Sequence, residues 1–362
     1  MAPSRWTTTA QAFLEDWRRS GEVSAAVAAV ADEDGPRVLA AVGSRHDSRF
    51  DLASITKPFV ATLALVLDRQ GLLSLSQPIG EVLEVPIPLA RRSLGSLLRH
   101  RSGLAPWLPL RALGHEASDR TSLLELMART VATRKGYRYS DLGYVLWGWA
   151  AEKMLGRGLA QLLAGAVLAP LGLDASVAWR PGPAPDVAPS PCDGAKETEL
   201  AASLGFDLAV LPPPSPGEAQ DGNARWLGQP AGHAGLFGTA LDVLTLAEEW
   251  RLPRRVLVEA DVVRALRGPG EYSLGWARRR ARQKGGSAGS ALSPGSFGHT
   301  GFAGGNVWVD RVAGRSYVLL AHRTSSLSDL NPRRRAFHAL FQTTGSSHST
   351  PVEVQIPSNR LQ

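Results

Sequence analysis

Residues 50–71 read FDLASITKPFVATLALVLDRQG, a nearly uninterrupted apolar run headed by Ser54-Ile55-Thr56-Lys57. The run predicts a helix from about Ser54 to Gly71, too apolar to lie on a surface. Residues three apart share a helix face, so the Ser54 hydroxyl and the Lys57 amine come within reach of each other. An alcohol becomes a competent nucleophile when a base takes its proton, and an amine can do so only when neutral. The positive end of the helix dipole and the apolar neighbours Phe50, Leu52, Ile55, Phe59 and Val60 both disfavour a charged Lys57. The plainer reading makes Ser54 a helix cap and Lys57 a surface residue. First-turn charges are usually acidic, however, and Lys57 is the only lysine in the first 134 residues.

Two further stretches carry candidate chemistry. Tyr139-Ser140-Asp141 precedes a helix expected over Leu142–Leu155; Ser140 or Asp141 can cap that helix, while a phenol near a lysine can serve as general acid or base. Gly298-His299-Thr300-Gly301-Phe302-Ala303-Gly304-Gly305 precedes a strand. Its small residues allow close backbone approach to a ligand, and an N–H there can help form an oxyanion hole. A plain glycine-rich turn is the alternative.

Outward from these stretches, the pattern predicts a helix over Thr7–Arg19 and a hairpin of strands Val23–Ala31 and Arg37–Val42 around a turn at 32–36. A mainly helical middle follows, with helices over Leu94–Leu98, Ser122–Ala132, Leu142–Leu155 and Leu159–Val167. Prolines and glycines crowd 180–223, predicting a long connection with little regular structure. Helix Leu241–Trp250, strands Tyr272–Trp276, Gly305–Val309 and Tyr317–Ala321, and helix Pro332–Phe341 close the pattern. The Ser/Thr/Pro-rich end, 343–362, reads as a disordered tail. We therefore expect a mixed α/β (α+β) fold, an antiparallel sheet flanked by N- and C-terminal helices. The expected division is a discontinuous α/β domain (1–66 and 231–342) with a helical insertion (67–230).

The 362 residues are 44% hydrophobic and 20% charged, which excludes a disordered or fibrous chain. The net charge of +7 comes from 40 basic residues, only five of them lysine, scattered in short runs. No dedicated nucleic-acid stripe emerges. Cys192 is the single cysteine, so neither an intrachain disulfide nor a thiolate metal cluster is available. No His-x-x-x-His pair or phosphate-cradling glycine loop occurs, and neither metal nor cofactor is expected. The first 19 residues lack a secretory apolar core, and the longest apolar run, Phe59–Leu67, falls far short of the ~20 residues of a membrane span. The location expected by default is the cytoplasm, or the periplasm if a leader was removed. Gly285-Gly286-Ser287-Ala288-Gly289 matches a nucleophile-elbow pattern but lacks the strand before it and the helix after it.

Taken in order, Ser-x-x-Lys at 54–57, Tyr-Ser-Asp at 139–141 and His-Thr-Gly at 299–301 resemble the three active-site motifs of the serine β-lactamase and penicillin-binding-protein superfamily. The class C-like branch, which also holds esterases and D-stereospecific peptidases, is the nearest in pattern. The likeness extends to Leu98-Arg99-His100-Arg101-Ser102-Gly103-Leu104 and to residues 232–242, GHAGLFGTALD. It implies that Ser54 is acylated, with Lys57 as its proton partner and Tyr139 as general base for acylation and for the deacylating water. It further implies an oxyanion hole of the Ser54 and Phe302 N–H groups, with Asp141, His299, Thr300 and Gly301 lining the substrate site.

Two positions depart from that branch's usual pattern: Asp141 replaces Asn and His299 replaces Lys. A histidine of ordinary pKa is only partly charged at neutral pH, which argues against carboxylate-bearing β-lactams. If its charge binds an anionic substrate, affinity should fall from pH 6 to 8. The expected substrate is a small ester, a β-lactam, or a D-amino-acid amide or short peptide. The alternative is a binding or regulatory protein that has lost turnover. His100 and His233 read as holding loop backbones, and Trp107 and Trp226 as candidates for the groove wall.

Overall fold

The alanine- and valine-rich run Val23–Asp32 forms β1, flanked on both sides. Its side chains alternate between two apolar clusters: Ala25, Val27, Ala29 and Ala31 face one, and Val23, Ala26, Ala28 and Val30 the other. Such burial on both faces is what small apolar residues at period two permit. The computed structural model describes residues 5–342 apart from 117–119, 133–135, 229 and 281–285. The tail expected at 343–362 lies outside the described residues.

β2 (Gly35–Val42) completes the hairpin, with Asp32 opposite Gly35, so the turn is tighter than 32–36. β3 (Phe50–Asp51), β4 (Ala178–Trp179) and β5 (Leu236–Gly238) form a small sheet in the order β3-β5-β4. β6 (Ala277–Arg278), β7 (Phe297–Thr300), β8 (Gly304–Asp310) and β9 (Arg315–Arg323) join the first two strands in an antiparallel six-stranded sheet, β2-β1-β9-β8-β7-β6. β6 pairs only with Phe297 and Gly298, which leaves His299 and Thr300 open on that side.

One face of the sheet is covered by the terminal helices, α1 (Arg5–Arg19) and Asn331–Ala339. Trp17 and Phe337 are fully buried there, and the Phe13 and Phe337 rings lie 6.1 Å apart. Helix Ala240–Arg251 covers the other face, and α2 (Thr56–Arg69) lies against it, Trp250 Nε1 donating to Thr62 at 2.8 Å; α2 is buried from Thr56 to Leu67. A single apolar cluster runs from this face through α2 into helices Leu94–Leu98, Asp141–Leu155 and Leu159–Leu163. The mixed fold with its antiparallel sheet is as expected. Among the described residues no single helix is long and apolar enough to cross a membrane.

Two expectations fail. Tyr272–Trp276 is a tight turn rather than a strand: the Ser273 N–H donates to the Trp276 carbonyl at 2.8 Å, and Gly275 has φ +82°. A side chain at 275 would meet the Ala61 Cβ at 2.4 Å, so the chain must turn over α2 here. The 180–223 segment is also more regular than its prolines suggest. It carries helix Ala195–Ser203 and enters helix Gly222–Trp226, capped by Asp221. Lys196, Glu197, Thr198 and Glu199 are capable helix formers, and the flanking prolines obscure them without entering the helix.

Candidate active site

The backbone reaches Ser54 through a short 3₁₀ turn, Ala53–Ile55, before α2 begins. Ala53 has φ +45°, a left-handed conformation that costs a non-glycine residue roughly 1 kcal/mol or more. The Ser54 side chain does not cap the helix. Lys57 is completely buried, against the surface reading. Its Nζ lies 2.7 Å from Ser54 Oγ, 2.7 Å from Asp141 Oδ1 and 2.9 Å from the His233 carbonyl, to which it donates. The Tyr139 hydroxyl donates to the same Ser54 Oγ at 3.0 Å. Lys57 and Tyr139, from two distant stretches of sequence, thus meet on one oxygen, and His233, from a third, meets Lys57.

Ser140 caps helix Asp141–Leu155, accepting from the Gly143 N–H, while its hydroxyl donates to the Ala105 carbonyl at 2.6 Å. That cap orients Tyr139 and Asp141 on either side of it. His100 accepts the Ser140 N–H on Nδ1 at 3.0 Å and stacks its ring 4.5 Å from Tyr139. It therefore holds backbone, as expected. His233 contributes its carbonyl to Lys57, and its ring pairs with Asp221 at 3.0 Å.

Burial lowers the Lys57 pKa, and the Asp141 carboxylate opposes that shift. Tyr139 is pushed well above the usual phenol value, first by burial and then by the Asp141 charge. Asp141, expected among the substrate-lining groups, still faces the cleft with 16% of its side chain exposed, but its carboxylate is committed to Lys57.

His299 is buried, and its Nδ1–H donates to the Thr300 carbonyl at 2.9 Å. Burial, with Lys57 adding to it, lowers its pKa to about 3. It is therefore neutral at pH 7 and cannot supply the partial positive charge expected of it. The pH-dependent affinity inferred from the sequence is withdrawn. In its place, the KM ratio of an anionic to a neutral ester should follow the same course from pH 6 to 8 in wild type and in His299→Gln. A pH-dependent gap between the two would contradict a neutral His299.

The turn after β7 lies against the nucleophile turn. Gly301 donates its N–H to the Gly305 carbonyl at 2.8 Å, and a Cβ on it would meet the Leu52 carbonyl oxygen at 2.8 Å. Glycine is required for so close an approach. Phe302 sits at the tip, 38% exposed, its ring 4.7 Å from the Arg323 guanidinium. The sequence reading missed Arg334. Only 5% exposed, it donates through Nη2 to the carbonyls of Gly301, Gly304 and Gly305 at 2.9, 3.0 and 3.2 Å. With those carbonyls drawn toward the guanidinium, the backbone of the turn is held fixed.

Ser54, Tyr139, Asp141, His299, Gly301 and Phe302 line a cavity of about 530 Å³. Trp107 and Leu200 add apolar wall, Tyr272 an aromatic one, and Arg278, Arg323 and Arg334 a basic side. Glu197 and Asp221, also unforeseen, line it near Lys57. Burial and the Asp221 charge push Glu197 up; burial also acts upward on Asp221, but His233, the Ala224 N–H and Lys57 together bring its net shift down. Trp226, expected on this wall, borders a separate hollow with Phe206 and Leu208. Gly286, Ser287 and Ala288 of the elbow-like stretch form a turn on the far rim, while residue 285 lies outside the described residues. Among the described residues no group of three His, Cys, Asp or Glu side chains could hold a metal ion.

Comparison with known proteins bears on the fold and the family. Esterase EstB of Burkholderia gladioli is 29% identical over 320 residues, covering 77% of this chain and 78% of the esterase. Among solved structures, EstCE1, titled a hydrolase with promiscuous acyltransferase activity, superposes with a TM-score of 0.71 at 20% identity, covering 93% of this chain and 99% of its own. A class C β-lactamase from Rhodobacter sphaeroides gives a TM-score of 0.67 at 18% identity, with coverage of 93% and 99%. At these identities the two structural likenesses speak to the fold alone. The family model described as Beta-lactamase matches residues 8–340, and the chain therefore belongs to the β-lactamase family of serine hydrolases.

Proposed function

We propose that the chain hydrolyses small esters through an acyl-enzyme on Ser54. The observation that carries this reading is the buried Lys57 amine, 2.7 Å from Ser54 Oγ, with the Tyr139 hydroxyl on the same oxygen. A neutral amine has two N–H donors and one lone pair. In the structure, Nζ donates to Ser54 Oγ and to the His233 carbonyl and pairs with Asp141; once it has given up a proton, its N–H groups can stay on the two pure acceptors while the lone pair takes the Ser54 O–H.

In the reaction, Ser54 Oγ bonds to the ester carbonyl carbon as its proton passes to Lys57. The Asp141 carboxylate stabilises the ammonium that forms, as an acid partner steadies the base in other triads. The N–H groups of Ser54 and Phe302 receive the oxyanion. When the tetrahedral species collapses, the carbon–alkoxide bond breaks. Tyr139, kept as a neutral phenol by its raised pKa, gives the alkoxide a proton and regains one from Lys57. Water then attacks the acyl carbon by the reverse route, releasing the acid and restoring the Ser54 hydroxyl. This assigns the base to Lys57 rather than to Tyr139, because burial favours the neutral form of both groups.

Esters are favoured over carboxylate-bearing β-lactams because the position where the β-lactamases of this branch carry a lysine holds a neutral His299. The apolar wall of Trp107 and Leu200 suits an uncharged acyl group, and the curated relative EstB is named an esterase. The test is intact-mass spectrometry during turnover of a chromogenic ester, followed by peptide mapping. One acyl group per chain on the peptide containing Ser54 is expected. A chain that binds the ester yet never carries the acyl group would instead be a binding protein on this scaffold.

A further inference from the structure

A buried carboxylate just ahead of the nucleophile has no part in the chemistry described so far. Asp51 is 3% exposed and spends both carboxylate oxygens on backbone N–H groups. Oδ1 accepts from Ala53 at 2.8 Å, and Oδ2 accepts from Gln220 at 2.7 Å. Its own N–H donates to His322 Nε2 at 3.0 Å, while His322 Nδ1 donates to the Pro189 carbonyl at 3.0 Å. Ala53 is the left-handed residue that delivers Ser54. Gln220 immediately precedes Asp221, whose carboxylate caps helix Gly222–Trp226 and pairs with the His233 ring. The His233 carbonyl in turn takes an N–H of Lys57. One side chain therefore grips the backbone beside the nucleophile and, through a short chain of contacts, the backbone that supports its base.

We propose that Asp51, as a carboxylate, is a positioning residue that holds Ser54 and Lys57 in register. The proposal rests on the acyl-enzyme reading above. Two N–H groups converge on Asp51, and only the ionised form offers two full acceptors to them. On protonation one oxygen becomes a hydroxyl and faces an N–H, so one of the two grips is lost. Burial pushes the Asp51 pKa up to about 6, with the two N–H groups opposing. The charged groups facing it are Asp221, which raises it, and Arg225, which lowers it. His322, from β9, is neutral, its own pKa lowered by burial to about 4. Acylation should therefore weaken as the pH falls through 6, by up to about tenfold per pH unit. Because the native pKa lies above the usual carboxylate value, the fold holds the ion at a cost that an amide does not incur. Asp51→Asn is accordingly expected to keep its melting temperature at pH 8.

The experiment measures the rate of fluorophosphonate labelling of Ser54, and kcat and KM for a chromogenic ester, between pH 5 and 8. For Asp51→Asn we expect labelling and kcat down about 10- to 100-fold at pH 8, KM within about threefold, and no acid limb near pH 6. At pH 5, one unit below that pKa, wild type should keep about a tenth of its pH 8 rate, so the gap to the variant should narrow to about tenfold or less. Adding Ala53→Gly, which tolerates the left-handed turn without a grip, should recover at least about fivefold. Wild-type profiles that are flat from pH 5 to 8, or an Asp51→Asn profile parallel to wild type, overturn the proposal. If Asp51→Asn does not fold, Asp51→Glu decides: it keeps a carboxylate and must keep an acid limb, and a flat Asp51→Glu profile from pH 5 to 8 beside a wild-type profile that bends overturns the proposal. Labelling at unaltered rates rejects this role alone. Absence of labelling at every pH rejects the acyl-enzyme itself and this proposal with it.

Discussion

Lys57→Met is expected to slow acylation of Ser54 by about 10³-fold or more, at the upper end of what a positioned general base contributes. The substitution keeps an unbranched chain of similar length in a fully buried slot, so packing is largely conserved. What disappears is the amine nitrogen 2.7 Å from Ser54 Oγ, the proposed base. Tyr139 cannot replace it, because burial and the neighbouring Asp141 charge hold its phenol in the protonated form. Lys57→Arg should not rescue, since a guanidinium stays charged at any working pH. Pre-steady-state release of a chromophore measures the effect, with near-ultraviolet circular dichroism as the check on folding. A burst rate within tenfold of wild type in Lys57→Met would show that the proton leaves Ser54 by another route.

The second large effect is expected at Gly301. Gly301→Ala places a methyl 2.8 Å from the Leu52 carbonyl oxygen, a separation real Cβ atoms do not tolerate. Backbone lies on both sides, so the turn itself must move, and it carries the Phe302 N–H away from the position where negative charge develops. Loss of one oxyanion donor typically lowers kcat about 10²–10³-fold. Since the donor acts in the transition state more than in the ground state, KM should change little. Steady-state kinetics on the same ester give the answer. A raised KM at constant kcat would place the turn in substrate binding instead.

How much of this was legible in the sequence depends on which force acts at each position. The hairpin of β1 and β2, the apolar α2 and the nucleophile at its head announce themselves through periodicity and spacing, because local pattern and tertiary burial agree there. Family motifs then placed Tyr139 and His299 near Ser54, separated from it by 85 and 245 residues of chain. The failures concern charge and hidden partners. Arg334 lies within Arg333-Arg334-Arg335, which reads as a solvated basic run, yet only the middle member turns inward onto three carbonyls. His299 was assigned an ordinary pKa, but its protonation is set by burial, which no spacing reveals. Asp51 passed as an unremarked neighbour of the motif, since its two N–H partners lie on segments about 170 residues apart in the chain. Glu197 stayed invisible because prolines on either side disguised its helix.

The guanidinium that fixes the turn at Gly301 belongs to Asn331–Ala339, the last helix described. If the turn's N–H receives the oxyanion as proposed, a nascent chain carries Ser54 and Lys57 before the residue that fixes that turn has been made. On that reading, competence to acylate waits for the closing helix, which packs beside Phe13 on the sheet.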